Sequence, residues 1–308
     1  MEMTDEARAA MRLIPGYGAA PVTEVARLGG LTNRVYRVRA GGEALVLRIP
    51  GEGTEAYIDR EVEAVNARAA AAAGVSPEVL HVDPARGLML TRHVEGRTMT
   101  PALFRSLPGA PARAAAAFRR LHGSGAAFAF RFELFAMIEE YLKVLAGLNA
   151  RLPEGYRAAV AEAEAVRAAL DAHPAALAPC HCDPLCENFL DTGLRMWIVD
   201  WEYSGMNDPL WDLGDLSVEA ELGPEEDAEL LAAYFGGPVP AAARGRVVAY
   251  KAMCDLLWTL WGLIQHANGN PADDFAAYAA NRFARCHTLM ATPEFAGHVA
   301  AVGHGRPR

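Results

Sequence analysis

The two halves of this chain have different secondary-structure patterns. Residues 21–94 contain short β-forming runs between glycine-containing turns, whereas the chain from Pro101 onward has mostly helical periodicity. A helix is predicted over 55–73, before the helix-ending residues Gly74 and Pro77. The predicted strands are 21–28, 34–39, 44–49 and 88–94. We therefore predict an α+β fold in which a small antiparallel-sheet lobe with one helix precedes a large, mostly helical lobe.

Helical segments account for most of the second half. Their alanine-rich composition favours helix rather than disorder, because alanine has the highest helix propensity. The predicted helices are 111–123, 132–148, 154–172, 225–235, 242–267 and 273–289. With 308 residues, of which 52% are hydrophobic, the chain is long enough to form two lobes with a substantial core. We assign the lobes to residues 1–95 and 96–308.

The charge balance excludes one class of partner and favours another. The chain has 38 acidic and 29 basic residues, a net charge of −9, so we expect no nucleic-acid binding. An anionic field favours a small cationic molecule as partner. No uninterrupted apolar run approaches the ~18 residues of a membrane span, and the opening segment lacks the pattern of a signal peptide. We expect a cytoplasmic protein without a membrane span, either a monomer or a homodimer.

Five cysteines form an odd set, for which we expect reduced thiols. Three of them cluster with a histidine as Cys180-His181-Cys182 and Cys186, which raises the possibility of a zinc site. A structural zinc site normally uses two separated pairs of ligands, whereas these residues are adjacent. Small packing residues beside a loop are therefore the favoured interpretation.

A polar segment of the second half carries side chains that suit phosphoryl transfer. Asp183 and Asn188 lie five positions apart in His181-Cys-Asp-Pro-Leu-Cys-Glu-Asn188, and Asp200 follows an apolar run, 196–199, that predicts a short buried strand. Transfer from ATP needs a carboxylate to position the attacking hydroxyl, and oxygen ligands to hold Mg²⁺ against the phosphates. These three residues supply both, and the sequence therefore suggests a kinase.

The spacing His-x-Asp-x-x-x-x-Asn, followed by an aspartate at a strand end, resembles the catalytic and metal-binding loops of protein kinases. It is more similar to those of the aminoglycoside phosphotransferase and choline kinase superfamily. The segment Ile198-Val-Asp-Trp-Glu-Tyr-Ser-Gly-Met-Asn-Asp-Pro-Leu-Trp-Asp-Leu-Gly-Asp215 resembles the choline and ethanolamine kinase family in particular. The resemblance implies a protein-kinase-like two-lobe fold with ATP and Mg²⁺ as cofactors. It also implies that Asp183 is the catalytic base and that Asn188 and Asp200 are magnesium ligands.

A glycine-containing turn in the first half is the candidate nucleotide loop. Gly29, Gly30, Thr32 and Asn33 join two predicted strands, so main-chain amides and the Thr32 and Asn33 side chains can approach phosphate oxygens. Two glycines in a hairpin are by themselves weak evidence, and the kinase-like segments downstream favour this role. The sequence lacks G-x-x-x-x-G-K-[ST], which argues against a P-loop enzyme.

The first half also supplies a cation for the phosphates. A kinase small lobe uses a fixed cation held by a helix carboxylate. The chain has only two lysines, neither of them in this half, and the matching strand carries Arg48. Choline kinases are similar in having arginine here. The predicted partner is Glu63 on the following helix, with Glu61 as the alternative.

The segment 88–96 runs from an apolar strand into a polar bend. In the family that the chain resembles, this segment is the hinge between the lobes, and its main-chain groups recognise adenine. We therefore include Thr91 and His93 among the residues predicted to bind ATP.

Aromatic and acidic residues of the second half are the candidates for binding the acceptor. Trp258 and Trp261 are three positions apart on a predicted helix and so lie on one face, where indole rings can attract a quaternary ammonium. Two indoles at this spacing are ordinarily core packing, but the resemblance implies that they form a wall of a choline pocket. It also implies that Tyr203 adds an aromatic wall to this pocket and that Glu219 balances the positive charge of the acceptor. We assign Glu202, which precedes Tyr203, to the same site.

The predicted function is an ATP- and Mg²⁺-dependent kinase that phosphorylates the hydroxyl of choline or a related amino alcohol. Ethanolamine, thiamine and aminoglycosides are alternative acceptors, since they share the positive charge. A nucleotide-binding scaffold without turnover is the alternative of another class.

Overall fold

The small lobe is built on a five-stranded antiparallel sheet. The computed structural model describes residues 3–30, 33–51 and 58–303. The strands are β1 (Val22–Gly29), β2 (Arg34–Ala40), β3 (Glu43–Ile49), β4 (Val79–Asp83) and β5 (Leu88–Arg92), in the spatial order β1-β2-β3-β5-β4. The four predicted strands are confirmed. The sequence predicts no strand at β4, because His81 and Asp83 interrupt its apolar pattern.

Alternation along β3 decides which face of the sheet carries Arg48. Leu45, Leu47 and Ile49 lie in a hydrophobic core shared with α1 (Met3–Met11), a helix that the sequence pattern does not predict. Because successive side chains of a strand point to opposite faces, Arg48 lies on the other face. That face meets the helix α2 (Arg60–Ala72), where Arg48 pairs with Glu63.

Helix α2 (Arg60–Ala72) belongs to the small lobe in sequence but packs on the large one. Ala67 and Ala70 are buried in the larger hydrophobic core, and the side chain of Asn66 donates a hydrogen bond to the carbonyl of Ser204 (2.8 Å). The helix begins after Asp59, whose side chain accepts hydrogen bonds from the first free amides. The predicted start at residue 55 lies outside the described residues. These contacts fix α2 against the large lobe.

The large lobe is mainly helical. Six helices agree with predictions to within two residues at each end: α4 (Ala110–His122), α5 (Leu134–Gly147), α6 (Tyr156–Ala172), α8 (Pro224–Phe235), α9 (Ala241–Ala267) and α10 (Phe275–Met290). Three shorter ones have no sequence prediction: α3 (Pro101–Ser106), α7 (Leu210–Glu219) and α11 (Pro293–Ala301). The boundary between residues 95 and 96 stays a prediction.

Five short strands complete the large lobe and position its loops. These are β6 (Arg97–Thr98), β7 (Ala178–Cys180), β8 (Phe189–Asp191), β9 (Met196–Ile198) and β10 (Gly205–Asn207). They form two small antiparallel sheets, β6-β8-β9 and β10-β7. Strand β9 confirms the predicted apolar run, and it delivers Asp200 to the loop that follows.

Helix α9 is the central element of the large lobe and packs against α5, α7, α10 and α11. The helix is long and apolar enough to cross a membrane, but 83% of its most apolar 18-residue stretch is buried inside the protein. All five cysteines are unpaired and buried, as packing residues are.

Candidate active site

Asp183 lies in the loop between β7 and a 3₁₀ turn at Cys186–Asn188. Asn188 donates a hydrogen bond from its side-chain nitrogen to the main-chain carbonyl of Asp183 (3.1 Å), which fixes the separation of the two residues. The amide nitrogen is used in this bond, so the amide oxygen is the atom that Asn188 can offer to a cation. The structure thus brings together the predicted base and the first predicted metal ligand.

The same loop is anchored by α7. Asp212 accepts hydrogen bonds from the main-chain amides of His181 (2.8 Å) and Cys182 (2.9 Å), and its Oδ2 lies 3.0 Å from Nε2 of His122. The indole nitrogen of Trp211 donates to the carbonyl of Cys182 (3.0 Å). Cys182 has a φ of +67°, a left-handed conformation that costs about 1–2 kcal/mol for a residue other than glycine. The surrounding hydrogen bonds offset this strain and hold the loop immediately before the base.

A second loop carries Asp200 directly after β9. Its φ of +66° is also left-handed. The ring Nε2 of His181 donates to the carbonyl of Val199 (2.9 Å), which ties the residue before Asp200 to the loop of Asp183. The two loops therefore converge, and they carry all three residues predicted for phosphoryl transfer.

The surroundings of both carboxylates disfavour their charged forms. Burial raises the pKa of Asp183 well above its usual value, and the charge of Asp215 raises it further. Burial and the charge of Glu202 raise the pKa of Asp200 to about 8, although Arg48 opposes this shift. Within the described residues, Oδ1 of Asp200 is buried and accepts no hydrogen bond, and the guanidinium of Arg48 lies 3.9 Å away. A cation bound beside such a carboxylate would favour its charged form.

The oxygen atoms around Asp200 fit a hard divalent cation. Mg²⁺ prefers oxygen ligands and is usually held by one or two carboxylates together with substrate phosphates. Glu63, Asp200 and Glu202 each place a carboxylate oxygen within 4.8 Å of the others. Glu63 and Glu202 are engaged by arginines, whereas Asp200 keeps an oxygen without a donor. Asp200, with the amide oxygen of Asn188, is therefore the better candidate, and both metal assignments stay predictions.

Arg48 on β3 and Glu63 on α2 form the ion pair that the sequence predicts. Nη2 donates to Oε2 (2.7 Å), Nη1 donates to Oε1, and both side chains are buried. Burial alone would raise the pKa of Glu63, but the charge and hydrogen bonds of Arg48 lower it below its usual value. Glu61, the alternative partner, is exposed. The role of the pair in binding phosphates stays a prediction.

A second arginine, Arg60, extends this pair to the large lobe. Its Nη1 donates to Oε2 of Glu63 (2.8 Å) and to Oε2 of Glu202 (3.1 Å). The side-chain nitrogen of Asn33 donates to the same oxygen of Glu202 (2.9 Å). The sequence assigns Asn33 to ATP and Glu202 to the acceptor, whereas the structure pairs these two side chains on the nucleotide side. Sequence reasoning missed Arg60, although it precedes Glu63 by one helical turn.

The candidate nucleotide loop joins β1 to β2. Gly29 has a φ of +146° and Gly30 a φ of +111°. A Cβ atom at Gly30 would lie 2.2 Å from the carbonyl oxygen of Asn33, so this turn accepts only glycine there. Thr32 lies outside the described residues.

The candidate hinge residues lie at the end of β5. Thr91 pairs with Val46 of β3, and the main-chain amide of His93 donates to the carbonyl of Ala44 (3.0 Å). Thr91 thus lies within the sheet, and His93 lies just beyond the strand, in the segment predicted to be the hinge. Their role in binding adenine stays a prediction.

The predicted aromatic residues form one cluster. The ring centroids of Trp258 and Trp261 lie 6.5 Å apart with nearly perpendicular planes, and Tyr203 packs edge-on against Trp258 at 5.4 Å. The indole nitrogen of Trp261 donates to the hydroxyl of Tyr203 (3.0 Å). The loop after Asp200 and helix α9 are thereby brought together.

Acidic residues of α7 lie beside this cluster. Glu219, the predicted acidic residue, is ion-paired with Arg282 of α10. Asp215, one helical turn earlier, accepts a hydrogen bond from the indole nitrogen of Trp258 (3.4 Å). The charges of both carboxylates raise the pKa of Asp183, the predicted base.

Comparisons with known proteins identify the family. Residues 24–248 match the phosphotransferase enzyme family. A choline/ethanolamine kinase family protein from Mesorhizobium loti, known from its crystal structure, is 66% identical and superposes with a TM-score of 0.89, covering 98% of this chain and 100% of that one. The chain belongs to the choline/ethanolamine kinase family.

Two other relatives of this family member are more distant. The crystal structure of choline kinase LicA from Streptococcus pneumoniae is 25% identical with a TM-score of 0.80, and the match covers 94% of this chain and 99% of that one. Protein LicA from Haemophilus influenzae is 29% identical over 269 residues, which cover 85% of this chain and 78% of that protein. The predicted phosphotransferase class and the protein-kinase-like two-lobe fold are confirmed.

Two residues of α7 in this family member were given no role by the sequence reasoning. Asp212 and Asp215 are fully buried in a helix whose other residues are mostly apolar. Acidic residues at i and i+3 on such a helix are a usable signal, because a buried carboxylate requires partners. Those partners come from distant segments, so their identity could not be predicted from the sequence.

Proposed function

We propose that this family member is a kinase that uses ATP and Mg²⁺ to phosphorylate the hydroxyl of choline or a closely related amino alcohol. The observation that carries this proposal is the position of Asp183 on a loop tied to that of Asp200. The charge of Asp215, which is hydrogen-bonded to Trp258 of the aromatic cluster, also acts on Asp183. The names of the relatives support it, because LicA is a choline kinase and the Mesorhizobium loti protein belongs to the choline/ethanolamine kinase family.

Asp183 acts as the general base. Its carboxylate accepts the proton of the acceptor hydroxyl while the hydroxyl oxygen forms a bond to the γ-phosphorus. The bond between that phosphorus and the bridging oxygen breaks, and ADP leaves with the electron pair. The proton then passes from Asp183 to solvent, and the products are ADP and a phosphate monoester.

The nucleotide side of the site supplies fixed positive charge and metal ligands. Arg48, held by Glu63, binds the non-transferred phosphates. Asn188 and Asp200 would hold Mg²⁺, which would supply positive charge to balance the phosphate oxygens. The side chain of Asn188 is fixed by its bond to Asp183, and the main chain before Asp200 is fixed by His181, so little ordering of the loops is needed on binding.

The acceptor side favours a quaternary ammonium. Such a group has no N–H to donate, so it is recognised by aromatic faces and negative charge rather than by hydrogen bonds. Tyr203, Trp258 and Trp261 supply the aromatic surface, and the carboxylates of α7 supply the charge. Choline fits these features better than ethanolamine, whose primary ammonium needs three acceptors.

An acceptor panel tests the proposal. Choline, ethanolamine, thiamine and kanamycin are compared in one coupled assay of ADP release at saturating ATP and Mg²⁺. We expect the highest kcat/KM with choline and lower values with ethanolamine. ATP-dependent thermal stabilisation without ADP release on any acceptor would instead identify a nucleotide-binding scaffold.

A further inference from the structure

The acceptor cluster contains three carboxylates, and arginines neutralise only two of them. Asp255 is paired with Arg285 (2.6 Å) and with Arg282 (3.2 Å). Arg282 is also paired with Glu219. Two arginines therefore balance Asp255 and Glu219. Glu219, which the sequence predicts as the counter-charge of the acceptor, is already part of an ion pair with Arg282.

Asp215 is the third carboxylate, and its hydrogen-bond partners are neutral. The thiol of Cys254 donates to Oδ1 (2.7 Å), and the indole nitrogen of Trp258 donates to Oδ2 (3.4 Å). Asp215 is fully buried, and in the part of the chain that the structure describes no lysine or arginine forms a salt bridge with it. One negative charge of the cluster therefore lacks a paired cation.

We propose that Asp215 supplies the counter-charge for the ammonium group of the acceptor, and so determines the preference for charged over neutral alcohols. This inference rests on the proposed function and names the residue responsible for its specificity. Asp215 is a specificity-determining residue and not a catalytic one, because Asp183 has the catalytic role.

The contact with Trp258 couples the carboxylate to the aromatic surface. The indole donates its N–H to Asp215, and this polarises the ring toward greater electron density. A cation over that ring is therefore attracted by the quadrupole of the indole and by the carboxylate behind it. Cys254 fixes the second oxygen of Asp215, so the carboxylate is in place before the acceptor binds.

The electrostatics of the cluster agree with this assignment. Burial raises the pKa of Asp215 well above its usual value, and the charge of Glu219 raises it further. The hydrogen bonds from Cys254 and Trp258 and the charge of Arg282, which is not paired with Asp215, oppose this shift without cancelling it. A cation bound nearby would supply the positive charge that this carboxylate lacks and would favour its ionised form. A neutral acceptor would leave it uncompensated.

Choline and its neutral carbon isostere, 3,3-dimethylbutan-1-ol, test the inference in the full-length protein. The two compounds have the same shape and the same hydroxyl and differ only in charge. We expect wild type to prefer choline by roughly 100-fold in kcat/KM, since the acceptor site is desolvated. In Asp215→Asn we expect kcat/KM for choline to fall about 30-fold, and that for the isostere to change less than about threefold.

Control variants separate charge from packing. Asp215→Glu keeps the charge and should retain the preference for choline even if both rates fall, and melting temperatures report whether each variant is folded. An equal loss on both substrates in Asp215→Asn would show a structural role and overturn the inference. The inference would also be overturned if Glu219→Gln lost the preference for choline over the isostere while Asp215→Asn retained it. If wild type turned over no acceptor of the panel, the proposed function would fall as well, whereas turnover with an unchanged ratio in Asp215→Asn overturns the inference alone.

Discussion

The nucleotide side and the acceptor side of this site treat charge differently. On the nucleotide side, the buried pair of Arg48 and Glu63 is extended by Arg60 to Glu202 of the large lobe. On the acceptor side, the described residues that donate hydrogen bonds to Asp215 are a thiol and an indole. The first region is a network of paired charges, and the second contains a carboxylate whose hydrogen-bond partners are neutral.

The two regions also differ in the cation that they suit. The side chain of Asp200 is 33% exposed and lies near the carboxylate oxygens of Glu63 and Glu202, which suits a small, hard ion that keeps some of its water. Asp215 is fully buried beside aromatic rings, which suits a large organic cation without hydration. Since both side chains are aspartates, the difference in the cation that each one suits comes from its surroundings and not from its charge.

The regions are separate in the fold as well. The nucleotide side combines the small-lobe sheet with α2, whereas the acceptor side is formed by α7, α9, α10 and the loop after Asp200. Asp183 lies between them. Changes in one region should therefore alter the KM of one substrate much more than that of the other.

The largest effect is expected at the residue that both regions share. Asp183→Asn removes the base but keeps the size of the side chain, so we expect kcat to fall roughly 10³-fold. The KM values of ATP and choline should each stay within about threefold, because neither binding region is altered. Steady-state kinetics with both substrates measure this, and Glu187→Gln, an exposed acid in the same loop, is the matched control. Near wild-type turnover in Asp183→Asn would falsify the assigned base.

The second-largest effect is expected for a change on the nucleotide side, which should alter the kinetics with ATP and leave those with choline nearly unchanged. Arg48→Met removes the fixed cation and leaves Glu63 with Arg60, so we expect kcat/KM for ATP to fall about 100-fold while the KM of choline changes little. Arg48→Lys should recover only part of this loss, because an ammonium cannot form the bidentate pair.

The exposed Arg92→Lys in the same sheet is the control for the Arg48 variants. An equal rise in the KM of ATP and of choline would show that the two regions are not separable. Melting temperatures should be measured alongside, since Glu63 is buried.

The sequence predicted much of the site because its chemistry lies in short segments. Asp183, Asn188 and Asp200 belong to local patterns, and β9 and α9 have clear periodicity, so both their type and their positions were predictable. Arg48 and Glu63 were paired correctly because the family that the chain resembles holds its phosphate-binding cation with a helix carboxylate.

The remaining features depend on contacts between distant segments. Asp215 acquires its role from Cys254 and Trp258, which are about forty residues away in sequence. Glu219 was expected to balance the charge of the acceptor, but it is paired with Arg282 of α10. This pair could not be predicted, because it depends on how α10 packs against α7. Helix α7 itself was missed, because its two buried acids interrupt the apolar pattern that predicts a helix.

The smallest effect sharpens the comparison on the acceptor side. Trp258→Ala removes one aromatic face and one hydrogen bond to Asp215, so we expect the KM of choline to rise about 20-fold and that of ATP less than twofold. Trp258→Phe keeps a ring but loses the N–H, and should lie between wild type and the alanine variant. Because the isostere of choline gains nothing from cation–π attraction, its KM should rise less than that of choline in both variants. A parallel rise for choline and the isostere would mean that Trp258 contributes shape alone, and the aromatic cluster would then have no part in recognising charge.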